Sequence, residues 1–122
     1  MAELLAIDTS TPVGSIAVGE RDRLLAEVSL GVGTRHAEAL LPAVRFALAH
    51  AQIELNALTG VVVGAGPGSF TGVRIAAATA KGLAHALGLP FYAYSSLLAL
   101  AASAAQEGRP VCAVLDARRG EV

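Results

Sequence analysis

A chain of 122 residues suffices for one domain and falls short of two full ones. With 54% hydrophobic and 16% charged residues and a mean hydropathy of +0.59, it can bury enough apolar surface to fold, which excludes wholesale disorder. A net charge of −1 argues against autonomous nucleic-acid binding, and a single cysteine, Cys112, excludes an internal disulfide or a cysteine-based metal cluster.

The N-terminal stretch Met1 to Asp8 has no basic residues and carries acids at Glu3 and Asp8, so a signal peptide is not expected of it. Leu4 to Asp8 is a short β-type run ending in the polar cluster Asp8-Thr9-Ser10-Thr11-Pro12. Ser15 to Val18, a turn at Gly19 to Asp22, and the alternating run Leu24 to Leu30 complete an antiparallel meander. After a break at Gly31 to Thr34, the spacing predicts a helix from His36 to Ala51. Its core face is Ala37, Leu40, Leu41, Val44, Ala47, Leu48 and Ala51, and Pro42 marks a kink or a late start.

Val61 to Val63 reads as a buried strand that runs directly into Gly64 to Gly72. A second helix is expected from Gly72 to Leu87, with Gly88 as its stop. Pro90 to Tyr94 is a strand, Ser95-Ser96 caps a third helix to about Gln106, and Val111 to Leu115 is a further strand. The uncharged stretch from Gly82 to Gln106 has the length of a membrane span, but Gly88, Pro90 and the serine pair divide it into two buried elements. With an unpaired cysteine, the expected location is the reducing cytoplasm. The order is βββαβαβαβ, an α/β arrangement on a mixed sheet that becomes parallel after the hairpins.

The glycine-rich turn is the strongest local signal, because a strand turning through glycines into a helix presents backbone N–H groups to an anion. No Gly-Lys-Ser/Thr closes it, Gly66, Gly68 and Gly72 only approach a dinucleotide fingerprint, and Ser69 fails the nucleophile-elbow spacing. The alternative is a tight connection that simply needs small residues. Asp8, Thr9 and Ser10 could join Gly66, Gly68, Ser69, Thr71 and Gly72 around a phosphate, or form a plain polar turn. His36, His50 and His85 lack helical metal-ligand spacing, and no nucleophile set is visible. No cofactor, metal or catalytic residue is expected. Asp116 could be catalytic only if residues from further along a chain brought it catalytic partners.

On the first helix, Ala39, Ala43, Phe46, Ala49 and His50 fall opposite the expected core face, with Glu38 and Arg45 as a narrow polar stripe. A surface helix should not be apolar all round. On the second, Arg74, Ala78, Lys81 and His85 share the outward face, and Ala77, Ala84 and Gly88 would let another helix approach. These positions, with His36, form a candidate partner interface anchored by Phe46. The alternative is an alanine-rich surface with a solvated basic edge.

The run Gly66 to Ile75, preceded by Ile7-Asp8-Thr9-Ser10 and by Arg35-His36-Ala37-Glu38 with Leu40-Leu41-Pro42, resembles the TsaB (YeaZ) family. Ala80 to Ala84, Ser95-Ser96-Leu97 and Asp116 to Val122 continue the match along essentially the whole chain, with Val73 and Ala76 as mild departures. The resemblance implies an actin/Hsp70/sugar-kinase-like (ribonuclease H-like) lobe of order βββαβαβα. It also implies a role in forming threonylcarbamoyladenosine at adenosine 37 of tRNA. In that family TsaB is a non-catalytic partner of its paralogue TsaD, the threonylcarbamoyl transferase, and TsaE, an ATPase, joins the complex. TsaB pairs with TsaD, or with itself as a homodimer, largely through its first two helices, so contact with tRNA would be indirect. TsaD carries a His-x-x-x-His metal site where this chain reads Ser95-Ser96-Leu97-Leu98-Ala99. Family members have two lobes. Residues 1–108 would then be the N-terminal lobe and 109–122 the start of a second, leaving any nucleotide site incomplete. Degenerate nucleotide binding is the alternative function.

Overall fold

The computed structural model describes residues 3–31 and 36–116. Strands β1 (Glu3–Asp8), β2 (Gly14–Glu20) and β3 (Arg23–Leu30) form the antiparallel meander, and α1 covers His36–Ala51. A single 3-10 turn (Leu55–Ala57) leads into β4 (Gly60–Gly64). Then come α2 (Phe70–Leu87), β5 (Phe91–Tyr94) and α3 (Ser96–Ser103). The sheet order is β3-β2-β1-β4-β5, with β1 antiparallel to β2 and parallel to β4, and β5 parallel to β4. The change from hairpin to crossover connections follows the chain: short turns join the first three strands, and helices return the later ones.

Alternation along the strands sets the core. Leu5, Ile7, Ile16, Val18, Val61 and Val63 point to one face and are buried there. Leu40, Val44, Ala47 and Leu48 of α1 and Ala76, Ala80 and Ala84 of α2 cover that face. Each large aliphatic side chain so buried contributes roughly 1.5–3 kcal/mol. The buried row of α2 is Gly72, Ala76, Ala80 and Ala84, so this helix contributes closeness of approach rather than side-chain bulk. It is capped by Ser69, whose Oγ accepts from Gly72 N, and it ends at Gly88 in the left-handed conformation (φ 66°). The opposite face of the sheet carries Leu4, Ala6, Ala17 and Val62, all half-buried.

Five expectations need correction. Ala84, expected on the open side of α2, is 3% exposed and packs in the core, because it continues the four-residue row of Ala76 and Ala80. Ala43 is 7% exposed and belongs to the core, while Ala37 and Leu41 are exposed. Ala43 lies three residues from Leu40 and four from Ala47, on the edge of their arc, and a small side chain fits where α1 sits close to its neighbours. Helix α1 spans His36–Ala51 as the spacing predicts and continues through Pro42, so the late start is the part that does not hold. Helix α3 stops at Ser103, whose Oγ donates to Leu100 O, a local bond that competes with helix continuation. Residues 111–116 form no strand. A strand needs a neighbour to pair with, and none of the described strands pairs with this run. The His36 side chain, Arg35 and the tail 117–122 lie outside the described residues. No described helix is long and apolar enough to cross a membrane.

Candidate functional site

Parallel pairing brings the ends of β1, β4 and β5 together. Ile7 pairs with Val63 and Gly64 with Tyr94, so the glycine stands between Asp8 and Tyr94 without a side chain to separate them. A Cβ at Gly64 would collide with the Asp8 carboxylate. The carboxylate is a hub. Its Oδ1 accepts from Ser10 N (2.9 Å) and Ser10 Oγ (2.6 Å), and its Oδ2 accepts from Tyr94 OH (3.2 Å) and Ser96 Oγ (3.0 Å). Burial, and then the negative charge and acceptor bond of Asp8, push the Tyr94 phenol well above its ordinary range.

The glycine turn folds onto the segment after β1. Ser69 N donates to Ser10 O (2.7 Å), and the buried Thr9 donates from Oγ1 to Gly72 O. A Cβ at Gly68 would strike Ser10 O and one at Gly72 would strike Thr9 O, so close backbone approach demands glycine at both positions. Gly66 has φ 88° and donates its N–H to Ser96 Oγ (3.1 Å). Asp8, Thr9, Ser10, Gly66, Gly68, Ser69 and Gly72 are therefore gathered at one end of the sheet, while Thr71 is exposed on the first turn of α2. A cleft of about 230 Å³ opens beside them, with Asp8, Tyr94 and Ser96 on its polar side and Val13, Leu97 and Leu100 on its apolar side.

Tyr94 and the hub role of Ser96 were not foreseen from sequence. The legible signal was positional: Tyr94 is the last residue of β5 and Ser96 opens α3 just beyond it, where parallel strands converge on the glycine turn.

The second candidate surface is the outer side of α1 and α2, which cover the same face of the sheet. Phe46 is 55% exposed and stacks on His50, with ring centroids 4.2 Å apart. The Arg74 guanidinium lies 5.2 Å from the ring centre of Phe70, which is 75% exposed. Ala78, Lys81 and His85 are exposed along the same face of α2, and Ala39 is half-buried. Phe70 adds apolar area to this side that the sequence did not assign to it, and Leu41 is exposed on the opposite flank of α1 from Phe46. Among the described residues, no group of three or more His, Cys, Asp or Glu side chains is placed to hold a metal.

The mixed sheet with its glycine turn defines an actin-like α/β lobe. The sequence model described as "TsaD: tRNA N6-adenosine threonylcarbamoyltransferase" matches residues 31–122, most of the chain, which therefore belongs to that family. Its sequence is similar to the "tRNA threonylcarbamoyladenosine biosynthesis protein TsaB" of Bacillus subtilis, at 40% identity over 98% of this chain and 52% of the relative. It is also similar to the protein of the same description in Escherichia coli, at 37% identity over 98% of this chain and 52% of the relative. The solved structure "YeaZ from Pseudomonas aeruginosa" superposes with a TM-score of 0.79 and 44% identity, over 85% of this chain and 48% of that one. The TsaB (YeaZ) resemblance thus holds across sequence and fold. The chain spans about half the length of the curated relatives it matches.

Proposed function

We propose that this chain acts in formation of the threonylcarbamoyl group on tRNA adenosine, as the N-terminal lobe of a non-catalytic scaffold that binds a TsaD-type transferase. One observation carries the reading: the outer sides of α1 and α2 expose the aromatic rings of Phe46 and Phe70, the latter with the Arg74 guanidinium over it. Exposed aromatics next to arginine are the composition of binding hot spots. Ala39 and Ala78 let a partner helix approach closely. The stretch Ser95-Ser96-Leu97-Leu98-Ala99 lacks the histidine pair of the transferase, which favours a supporting role. On this reading residues 1–108 are one lobe, 109–122 begin a second, TsaE joins through the complex, the same face serves a homodimer, and the setting is cytoplasmic.

The test is co-purification with TsaD. Phe46→Asp and Arg74→Glu should each abolish capture while circular dichroism shows the fold retained. Undiminished capture of both variants overturns the interface.

The competing reading is nucleotide or phosphate binding by Asp8 and the Gly66–Gly72 turn, favoured by the cleft that Asp8 and Ser10 line, although no residue of the turn lines it. Calorimetry with ATP and magnesium separates the two: clear binding supports the second.

A further inference from the structure

Helix α3 has eight residues and buries none of them, with Leu98 66% exposed. Apolar packing therefore contributes little to holding it, and its root must. Ser95 Oγ accepts from Leu98 N as the cap. Ser96 N donates to Gly66 O (2.9 Å), and Ser96 Oγ accepts from Gly66 N (3.1 Å) while donating to Asp8 Oδ2 (3.0 Å). Ala65 N donates to Tyr94 O (2.9 Å) one step earlier. The glycine turn and the first turn of α3 are thus bonded to each other through both the N–H and the carbonyl of Gly66, and Ser96 carries the link on to Asp8.

An ionised carboxylate offers about four acceptor positions. Asp8 receives bonds from Ser10 N, Ser10 Oγ, Tyr94 OH and Ser96 Oγ, all supplied by its own chain. A metal-bound phosphate would have to displace these donors and leave half-buried hydroxyls without partners, which costs free energy.

We propose that Asp8 is a positioning residue, the centre of an internal hydrogen-bond knot that locks α3 and the glycine turn together as one unit. The three hydroxyls of Ser10, Tyr94 and Ser96 are its permanent ligands. The knot stands independently of the partner reading, because none of its groups lies on the outer side of α1 and α2.

Tyr94 reports on the knot directly. The chain has two tyrosines and no tryptophan, so Tyr92→Phe leaves Tyr94 as the sole emitter. In that background, Tyr94 emission should be quenched by its carboxylate partner, and Asp8→Asn should restore it. Ser96→Ala keeps the carboxylate and removes one donor. Both changes should speed amide exchange in α3 and in residues 64–69 by about tenfold or more, the scale of one lost bond to a charged group, and leave α1 unchanged. ATP with magnesium should leave Tyr94 emission as it was.

Unchanged exchange in both variants overturns the knot. So does an emission change on adding magnesium-ATP that Asp8→Asn abolishes, which would make Asp8 a ligand residue. If Asp8→Asn does not fold, exchange in Ser96→Ala decides alone.

Discussion

Tyr94 holds its proton because three influences agree: burial, the charge of Asp8 and the hydrogen bond it donates to that carboxylate. Its pKa is raised in the folded chain well above the ordinary phenol value of about 10. A raised folded pKa means the neutral phenol is favoured by folding, so the contribution is fully present below pH 10 and is lost as pH climbs above it. Denaturant midpoints measured across this alkaline range should fall with pH. Tyr94→Phe should flatten that fall while lowering stability at neutral pH, and parallel curves for both proteins would contradict the assignment. None of this was legible in the sequence. Tyr94 sits two strands away from Asp8 in the sheet, and only the absence of a side chain at Gly64 lets the two meet.

Among the elements, α1 shows both what periodicity reveals and where it stops. Its bounds, His36 to Ala51, follow from the spacing of Leu40, Val44, Ala47 and Leu48. The centre of its buried arc is as the spacing predicts, and the difference lies at the edges, where Ala43 is buried on one flank and Leu41 is exposed on the other. A paired substitution makes the distinction measurable. Ala43→Asp buries a charge without a partner and should cost several kcal/mol, enough to unfold a marginal domain. Phe46→Asp lies on the open side and should move stability by about 0.5 kcal/mol or less. Thermal unfolding of the two variants reads this directly, and equal losses would place Phe46 in the core. The run Val111 to Leu115 went the other way: its apolar pattern suggests a strand, but pairing is a property of neighbours and not of the run itself.

At the scale of the whole molecule, protection should be graded outward from β1. This strand is hydrogen-bonded on both sides, by β2 and β4, and carries the fully buried Leu5 and Ile7. β5 is an edge strand of four residues, largely exposed, and α3 buries nothing. Native-state hydrogen exchange should therefore be slowest in β1 and β4 and fastest in α3, with β5 between. Exchange in α3 as slow as in β1 would mean the helix is held by more than its root. The antiparallel meander and the parallel sense of the later strands were readable, since turn-joined strands pair as neighbours and helix-joined ones run parallel, but the pairing of β4 with β1 rather than with β3 was not. The glycine turn was readable as a site of close approach, whereas the groups approached, the carbonyls of Thr9 and Ser10, emerge only once β1 and α2 are packed.

The buried row of α2 has a consequence for its opposite side. Gly72, Ala76, Ala80 and Ala84 recur every four residues, and such a row is inclined to the helix axis by about 26°. The sheet seats itself along that slanting row, so the row fixes both the height and the tilt at which α2 is carried. Arg74, Lys81 and His85, on the far side, inherit that tilt. Adding even a few methylenes at Ala80 would lift and swing all three together without altering any of them. The bearing of the outer surface is set from behind, by the smallest side chains in the helix.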